Sequence, residues 1–495
     1  MLIARNLTSI VALTVLGSFG VCATAHELRI EHVTIVSPER AAPMRDASIK
    51  VEDDRITAIV DGGFPVDSSG KVATLDGKGL YVTPGLIDSH VHSSDLPGMD
   101  NTHEPANKEV AAAVTRQVPR SYLYFGYTTL LDLISTPERL VAWNAHDAHP
   151  DLYFCGGAQV PGGYPPIQSV FEEDRRSLTR YRLIEHTPAA VVARMKQDGA
   201  VCVKTFYERG FGEVDELPVP RLDTIQELVT AAHAAHLPVL IHANGTDAQE
   251  FAVKAGVDVI AHGLWHWNRE PEATELTPRA QSVLDSVLGA KVGWQPTMQV
   301  LYALRDLFDP GFLSDPELAH VVPASAIEWY RSAPGQWYHD ELAPAFLPKS
   351  LQNSPDVQAQ WRAAQEALAR PLQRNQNATR YMALHNARFL FGTDTPSAPT
   401  YGNQPGLNGW REMQHLADAG VTLRQIFRAA TQSNAELLGL SRELGTVEVG
   451  KRANLLLLRA DPTQTLQAYN EIVKVIVRGR VFDREALAAD PPRKP

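Results

Sequence analysis

The strongest constraint in this sequence is a repeated unit: a short apolar run, a polar residue at its end, and then a stretch with helical spacing. "RLDTIQELVTAAHAAH" has apolar residues at helical intervals and leads into "LPVLIHANG", a strand with a polar end. "DAQEFAVKAG" is helical again and precedes "VDVIAHGLW", and "NARFLFGTDTP" repeats the strand form before the closing helices of "TLRQIFRAATQSNAELLGL". Alternating strand and helix units of this length predict an α/β protein with a parallel sheet. Chemistry at successive strand ends points to a TIM-like (β/α)8 barrel with its site at the C-terminal ends of the strands. No glycine-rich phosphate loop follows any of these strands, which ranks the barrel above an open doubly wound sheet.

A chain of 495 residues is longer than one hydrophobic core usually serves, so a second, smaller unit is expected. Short alternating segments with Asp-Gly and Gly-Gly turns fill residues 26–82, and the same texture returns over 441–485 in "GTVEVGKRANLLLLRAD" and "EIVKVIVRGRVFD". The two ends therefore predict one composite β module, a small β-sandwich, flanking a barrel over 83–440. Residues 264–384 break the rhythm, being long, helical in pattern and rich in Trp and Tyr. They are expected to contain an insertion near the barrel mouth, whose aromatics pack its own core or form a lid.

Five apolar runs end in residues compatible with a metal: His90 and His92 after "VTPGLIDS", Lys204 after "GAVCV", His242 after "PVLI", His262 after "VDVIA" and Asp394 after "RFLFGT". Residues i and i+2 of a strand share a face, so His90 and His92 can enter one site together. Imidazole nitrogens with a carboxylate suit zinc and its neighbours. Singly, each is weak: a strand-end histidine is more often a hydrogen-bonded structural residue, and a lone lysine more often sits in an ion pair. Six such residues in this order are much harder to read that way.

These motifs, with "AATQSNAELLGL" and "LGTVEVGKRANLLLLRADP" behind them, resemble the amidohydrolase superfamily over nearly the whole chain, and most closely its imidazolonepropionase-like branch with the prolidase-type dipeptidases. One position departs: Asn454 stands where the resemblance leads one to expect aspartate. The resemblance implies two divalent ions, with zinc the expected metal. His90, His92 and Asp394 would hold one and His242 and His262 the other, bridged by Lys204 carboxylated on its amine. A single-metal arrangement would leave Lys204 an ordinary amine that binds substrate. Asp394 would be the catalytic residue, taking a proton from the attacking water and delivering one to the leaving nitrogen. The implied reaction is hydrolysis of an amide or peptide C–N bond. The alternatives are a lactonase or esterase on the same centre, and a barrel that only binds.

Tyr207 and Arg209, in "KTFYERGFG", follow the expected bridge and are candidates for substrate contact, the arginine to a carboxylate and the tyrosine to the developing oxyanion. Each reads equally well as a loop residue tied to Glu208 or to solvent. His266 is a further candidate, soon after His262.

Charge excludes more than it identifies. A formal charge of −11 with no long basic run argues against nucleic acid and anionic membranes as partners, leaving a small-molecule or peptide-like substrate; a homo-oligomer is compatible with the sequence. "MLIARNLTSIVALTVLGSFGVCATAHE" has one positive charge at Arg5, an apolar core and an Ala23-Thr24-Ala25 ending. It reads as a secretory signal peptide over 1–25, predicting a periplasmic or secreted protein with no membrane segment after cleavage. A lipoprotein signal ending at Cys22 competes, but Val21 sits where such signals want a small residue. Cleavage leaves Cys155 and Cys202, which form no disulfide scaffold, although an oxidising compartment would permit one bond. Cys202, inside "AVCVK", is expected to be a buried thiol.

Overall fold

The computed structural model describes residues 27–67, 72–165, 177–178, 184–211, 216–268, 270 and 272–490. The expected signal peptide lies outside them. Strands β1 (Glu27–Ile35), β2 (Met44–Glu52), β3 (Arg55–Asp61), β4 (Ala73–Asp76) and β5 (Tyr81–Pro84) come from the N-terminal end. After them the chain enters a parallel sheet: β6 (Leu86–Val91), β7 (Tyr127–Asp132), β8 (Asp151–Ala158), β9 (Cys202–Phe206), β10 (Val239–His242), β11 (Val259–Ala261) and β12 (Gly293–Gln295). Three strands, β13 (Leu455–Leu458), β14 (Ile472–Val477) and β15 (Arg480–Asp483), return to the first sheet.

The two chain ends build one hydrogen-bonded sheet, in the order β15-β14-β13-β5-β1-β2-β3 with β4 beside β1. Its join is the antiparallel pair β5 and β13, in which Leu455 faces Pro84 and Leu457 faces Val82. Alternation gives this sheet a shared apolar core, where Ile30, Ile49 and Val82 meet Leu455, Leu457 and Ile476. Asn454 secures the sheet to the barrel: its amide donates to Asp151 Oδ2 at 3.1 Å, and Arg478 pairs with the other Asp151 oxygen at 3.0 Å. An aspartate at 454 would set a second carboxylate against Asp151, so asparagine suits this junction.

The parallel strands β6 to β12 pair in chain order. Residues 388–395 run between the two edges. Leu390 N–H donates to Trp294 O, while Ser89 N–H donates to Phe391 O and His92 N–H to Thr395 O. The sheet thus curls into a TIM-like barrel with helices outside. Its floor is one layer of inward residues, among them Ile87, Leu131, Cys155, Cys202, Leu240, Val259 and Leu390. Two residues further along the same strands, the inward positions are Lys204 and His242, so the apolar floor aims the site upward.

One expectation changes here. Cys202 is not a free thiol: Cys155 and Cys202 are directly paired across β8 and β9, their Cα atoms 4.4 Å apart, and form a disulfide in the barrel floor. Within 264–384 the helix Pro278–Gly289 and strand β12 form a regular barrel unit. The extra material is the helical stretch after β12, ending in Val357–Leu384. Trp267, Trp294 and Tyr330 are buried in the main core, so these aromatics pack the fold. No helix among the described residues is long and apolar enough to cross a membrane.

Candidate metal centre

The strand ends bring the expected residues into one cavity of about 250 Å3, lined by His90, His92, Lys204, His242, His262 and Asp394. Asp394 is the point of convergence. Its Oδ1 lies 3.0 Å from His90 Nε2 and 2.9 Å from His92 Nε2, and its Oδ2 lies 3.9 Å from His262. His90, His92 and Asp394 offer ligand atoms all within 4.8 Å of one another, a set able to hold a metal ion. The His242 and His262 rings stand 4.4 Å apart beside them.

Three of the four imidazoles are held at one ring nitrogen by a neighbouring side chain. His90 Nδ1 meets Gln295 Oε1 at 3.2 Å, and Gln295 is itself fixed by donating to the Ser89 hydroxyl. His262 Nδ1 lies 2.9 Å from Thr297 Oγ1, and His242 Nε2 lies 2.9 Å from Glu208 Oε2. Metal-binding histidines are commonly oriented this way, by a carboxylate, carbonyl or hydroxyl on the far nitrogen. The backbone is strained here as well: His262, Thr297 and Asp394 have φ of 85°, 41° and 57°. Non-glycine residues rarely take such values, and where they do the site is often functional.

Burial makes charge costly and the pairings decisive. Burial pushes His90 down to about 3 and His262 well below its ordinary value, so both rings are neutral donors of a lone pair. It opposes charge on His92 too, but the Asp394 hydrogen bond and charge outweigh it and raise that ring. Burial would also raise the Asp394 carboxyl, yet the surrounding imidazoles outweigh this and hold it well below the carboxylate range. Lys204 is fully buried and its ammonium is pushed down to about 7, with only Asp394 acting to retain the charge. Four imidazoles, a carboxylate and a buried lysine form a donor set suited to divalent ions of the zinc type.

Among the described residues of this cavity neither Tyr207 nor Arg209 appears. The Tyr207 ring packs against Phe251, its centroid 4.6 Å away, and Arg209 lies over Tyr207. Alternation explains this, since Lys204 faces inward on β9 and the inward successors are Phe206 and Glu208. His266 lines a different cavity, of about 830 Å3, between the β11 loop and the helix Val357–Leu384. None of the cavity's described lining residues comes from 264–384, although the Trp265 ring stands 5.5 Å from that of His262.

Four residues join the site without having been singled out. Phe206 and Tyr164 wall it, the Tyr164 ring 5.0 Å from His242. Arg139 stands at the rim. Glu208 accepts from Asn244 Nδ2 and from Gly210 N–H as well as meeting His242.

The Amidohydrolase family model matches residues 81–284 and 310–482. The chain belongs to the Amidohydrolase family. Within reach of this family, an enamidase of Eubacterium barkeri is 24% identical over 239 residues, 46% of this chain and 54% of the enamidase. The match thus spans about half the length of that curated relative. A solved Xaa-Pro dipeptidase with bound methionine in its active site has a TM-score of 0.64 at 19% identity, covering 92% of this chain and 100% of the dipeptidase. The ochratoxinase of A. niger has a TM-score of 0.62 at 17% identity, covering 93% and 96%. The family fold therefore extends over nearly all of the chain.

Proposed function

We propose that this protein is an exported, metal-dependent hydrolase of amide or peptide C–N bonds, acting on small or peptide-like substrates. The observation that carries the reading is the convergence of His90 and His92 on Asp394, with Lys204, His242 and His262 in the same cavity. His90, His92 and Asp394 would hold one divalent ion, His242 and His262 a second, with zinc the best match to these donors. Bound there, the ions would supply an activated water and polarise the substrate carbonyl. Lys204, buried with Asp394 as its anionic neighbour, would serve as the bridge after its nitrogen adds to carbon dioxide and loses a proton to solvent. The carbamate replaces a buried cation with two anionic oxygens.

Asp394 would accept the water's proton on a carboxylate oxygen and return it to the departing nitrogen. Phe206 and Tyr164 would exclude bulk solvent from the reacting carbonyl. Tight hydrogen bonding by Glu208, Gln295 and Thr297 would keep the imidazoles from swinging during turnover. Export is supported by the leader pattern in residues 1–25 and by the Cys155–Cys202 bond, which an oxidising compartment favours. Prolidase-type activity is favoured by the Xaa-Pro dipeptidase likeness.

Metal analysis of the purified protein, followed by a panel of dipeptides and N-acyl amino acids against lactones and aryl esters, tests the reading. About two divalent ions per chain and turnover of amides lost on chelation are expected. Turnover confined to esters and lactones would replace it with the esterase alternative, and protein that takes up no divalent ion would reduce it to a binding barrel.

A further inference from the structure

We propose that Glu412 is a positioning residue for the candidate metal centre: it pins the turn at Thr297 and, through that threonine, sets the ring of His262. The proposal rests on the two-ion reading above and adds to it a residue from outside the cavity. Neither Glu412 nor Thr297 is among the cavity's described lining residues, and both are buried.

His262 Nδ1 lies 2.9 Å from Thr297 Oγ1, so the direction of the other ring nitrogen depends on where that hydroxyl stands. Thr297 is fully enclosed and has φ of 41°. A β-branched residue avoids that region, and stays there only where the surrounding structure holds it. On the β12 side the hold is at Pro296, whose carbonyl accepts from Gly263 N–H at 3.0 Å and from Asn375 Nδ2 at 3.2 Å. On the other side the chain enters the helix Gln299–Asp306, and there the holding group is Glu412.

The first N–H groups of a helix have no partner within it, and Met298 brings no capping side chain. Glu412, on the helix Leu407–Asp418, supplies the acceptor. Its Oε2 takes the Gln299 N–H at 2.7 Å, and its carboxyl also accepts from Met298 N–H. Residues a turn away on the same helix face hold the Gln299 side chain: Asn408 Oδ1 accepts from Nε2 at 3.5 Å, and His415 Nε2 lies 2.9 Å from Oε1. Gln299 is thus fastened to one helix face by backbone and side chain, and Thr297 stands two residues before it. The other Glu412 oxygen has no partner among the described residues. Burying a carboxyl with one oxygen unused costs stability, so orienting Thr297 accounts for this residue better than stabilising the fold does.

The same helix reaches the other ligand group by separate bonds. Asn408 Nδ2 donates to Thr395 Oγ1 at 3.2 Å, and Asn403 Nδ2 donates to Asp394 O at 3.4 Å. Neither bond involves Glu412. Its loss therefore loosens His262 and spares His90, His92 and Asp394.

The test titrates zinc into the metal-free full chain against a chromophoric chelator, for wild type, Glu412→Leu, Glu412→Gln and Thr297→Val, each beside its urea midpoint. In Glu412→Leu one ion is expected to bind roughly 10–100-fold more weakly, the usual effect of disturbing an outer partner of a ligating histidine, and the other as in wild type. Glu412→Gln keeps an oxygen for the two N–H groups and is expected to retain both affinities. Thr297→Val removes the hydroxyl alone and is expected to reproduce the loss of one ion. It leaves Glu412 and its bonds in place, so it decides the matter if Glu412→Leu does not fold. A merely structural Glu412 would lower the urea midpoint and weaken both ions alike. That result, unchanged affinities in folded Glu412→Leu or in Thr297→Val, or a loss that Glu412→Gln does not rescue overturns the proposal and leaves the two-ion reading standing. Wild-type protein that takes up fewer than two zinc ions overturns both.

Discussion

Glu208 Oε2 lies 2.9 Å from His242 Nε2, which holds that end of the ring. Burial would raise this carboxyl, but the hydrogen bonds from His242, Gly210 and Asn244 outweigh it and keep it below the ordinary value. Glu208 is thus an anionic acceptor that selects the Nε2–H tautomer of His242. Glu208→Ala is expected to weaken divalent-ion affinity by roughly 10–100-fold, the usual effect of removing an outer partner of a ligating histidine. Glu208→Gln, whose amide oxygen can still accept from Nε2, should lose less. Competition with a chromophoric chelator reads both, and an Ala variant with wild-type affinity would show that His242 needs no such support.

Asp394 gathers two imidazoles on one oxygen and carries the proton in the proposed reaction, so its two duties can be separated by substitution. Asp394→Asn keeps the size and one acceptor oxygen but removes the base. Its kcat is expected to fall about 10²–10⁴-fold, with far-ultraviolet circular dichroism unchanged. Activity within tenfold of wild type would remove Asp394 from the proton path.

Gly392 bears on the same centre from behind. A Cβ placed there would stand 2.7 Å from His90 Cβ and 3.1 Å from Gln295 Nε2, so a methyl group must displace His90, its partner amide, or both. Gly392→Ala is accordingly expected to cut metal stoichiometry while leaving the fold in place, read by metal analysis after gel filtration. Full metal content in that variant would mean that the strand yields instead of His90.

What the residues reveal in advance follows from how local each signal is. His90, His92, His242, His262, Lys204 and Asp394 each end an apolar run, and a run and its terminus are visible in a few letters. Glu208 was within reach by the same logic, since counting by twos from Lys204 reaches Phe206 and Glu208 and passes over Tyr207 and Arg209. Tyr164 comes from a loop and Arg139 from the first turn of the short helix Pro137–Asn144, and neither ends an apolar run. Strand β12 has three residues, Gly293–Gln295, too short to show a period, and its Trp294 blends with the aromatic stretch around it. The partnership of Cys155 and Cys202 depends on the register of β8 against β9, which only the closed sheet sets.

That disulfide sits in the floor directly below Lys204, with both cysteines buried. Burial keeps thiol reagents and reductants from the sulfurs while the barrel is folded. Folded protein in dithiothreitol is therefore expected to show no free thiol by colorimetric titration, and two after unfolding. The bond closes a separation of 47 residues, for which loop entropy alone gives about 4 kcal/mol. The double variant Cys155→Ala, Cys202→Ala should lose stability up to that amount in urea, and unchanged midpoints would show that the closed barrel already supplies the constraint.

Glu412 gives the fold a pH dependence away from the metal residues. It is buried on the helix Leu407–Asp418, its Oε2 accepts the Gln299 N–H at 2.7 Å, and its other oxygen has no partner among the described residues. Burial pushes it up to about 8, although the backbone donors of Gln299 and Met298 act the other way. In the unfolded chain a glutamate titrates near about 4.3. Between these values the folded state holds a proton that the unfolded state has lost, so the stability this group contributes is complete below the lower value and disappears as pH rises through the upper one. The slope it adds is at most about 1.4 kcal/mol per pH unit. Glu412→Gln keeps an acceptor for Gln299 and cannot ionise. Urea midpoints measured from pH 5 to 8.5 are therefore expected to shift in favour of the variant as pH rises, and parallel curves for the two proteins would mean that Glu412 is ionised, or relieved by water, in the native state.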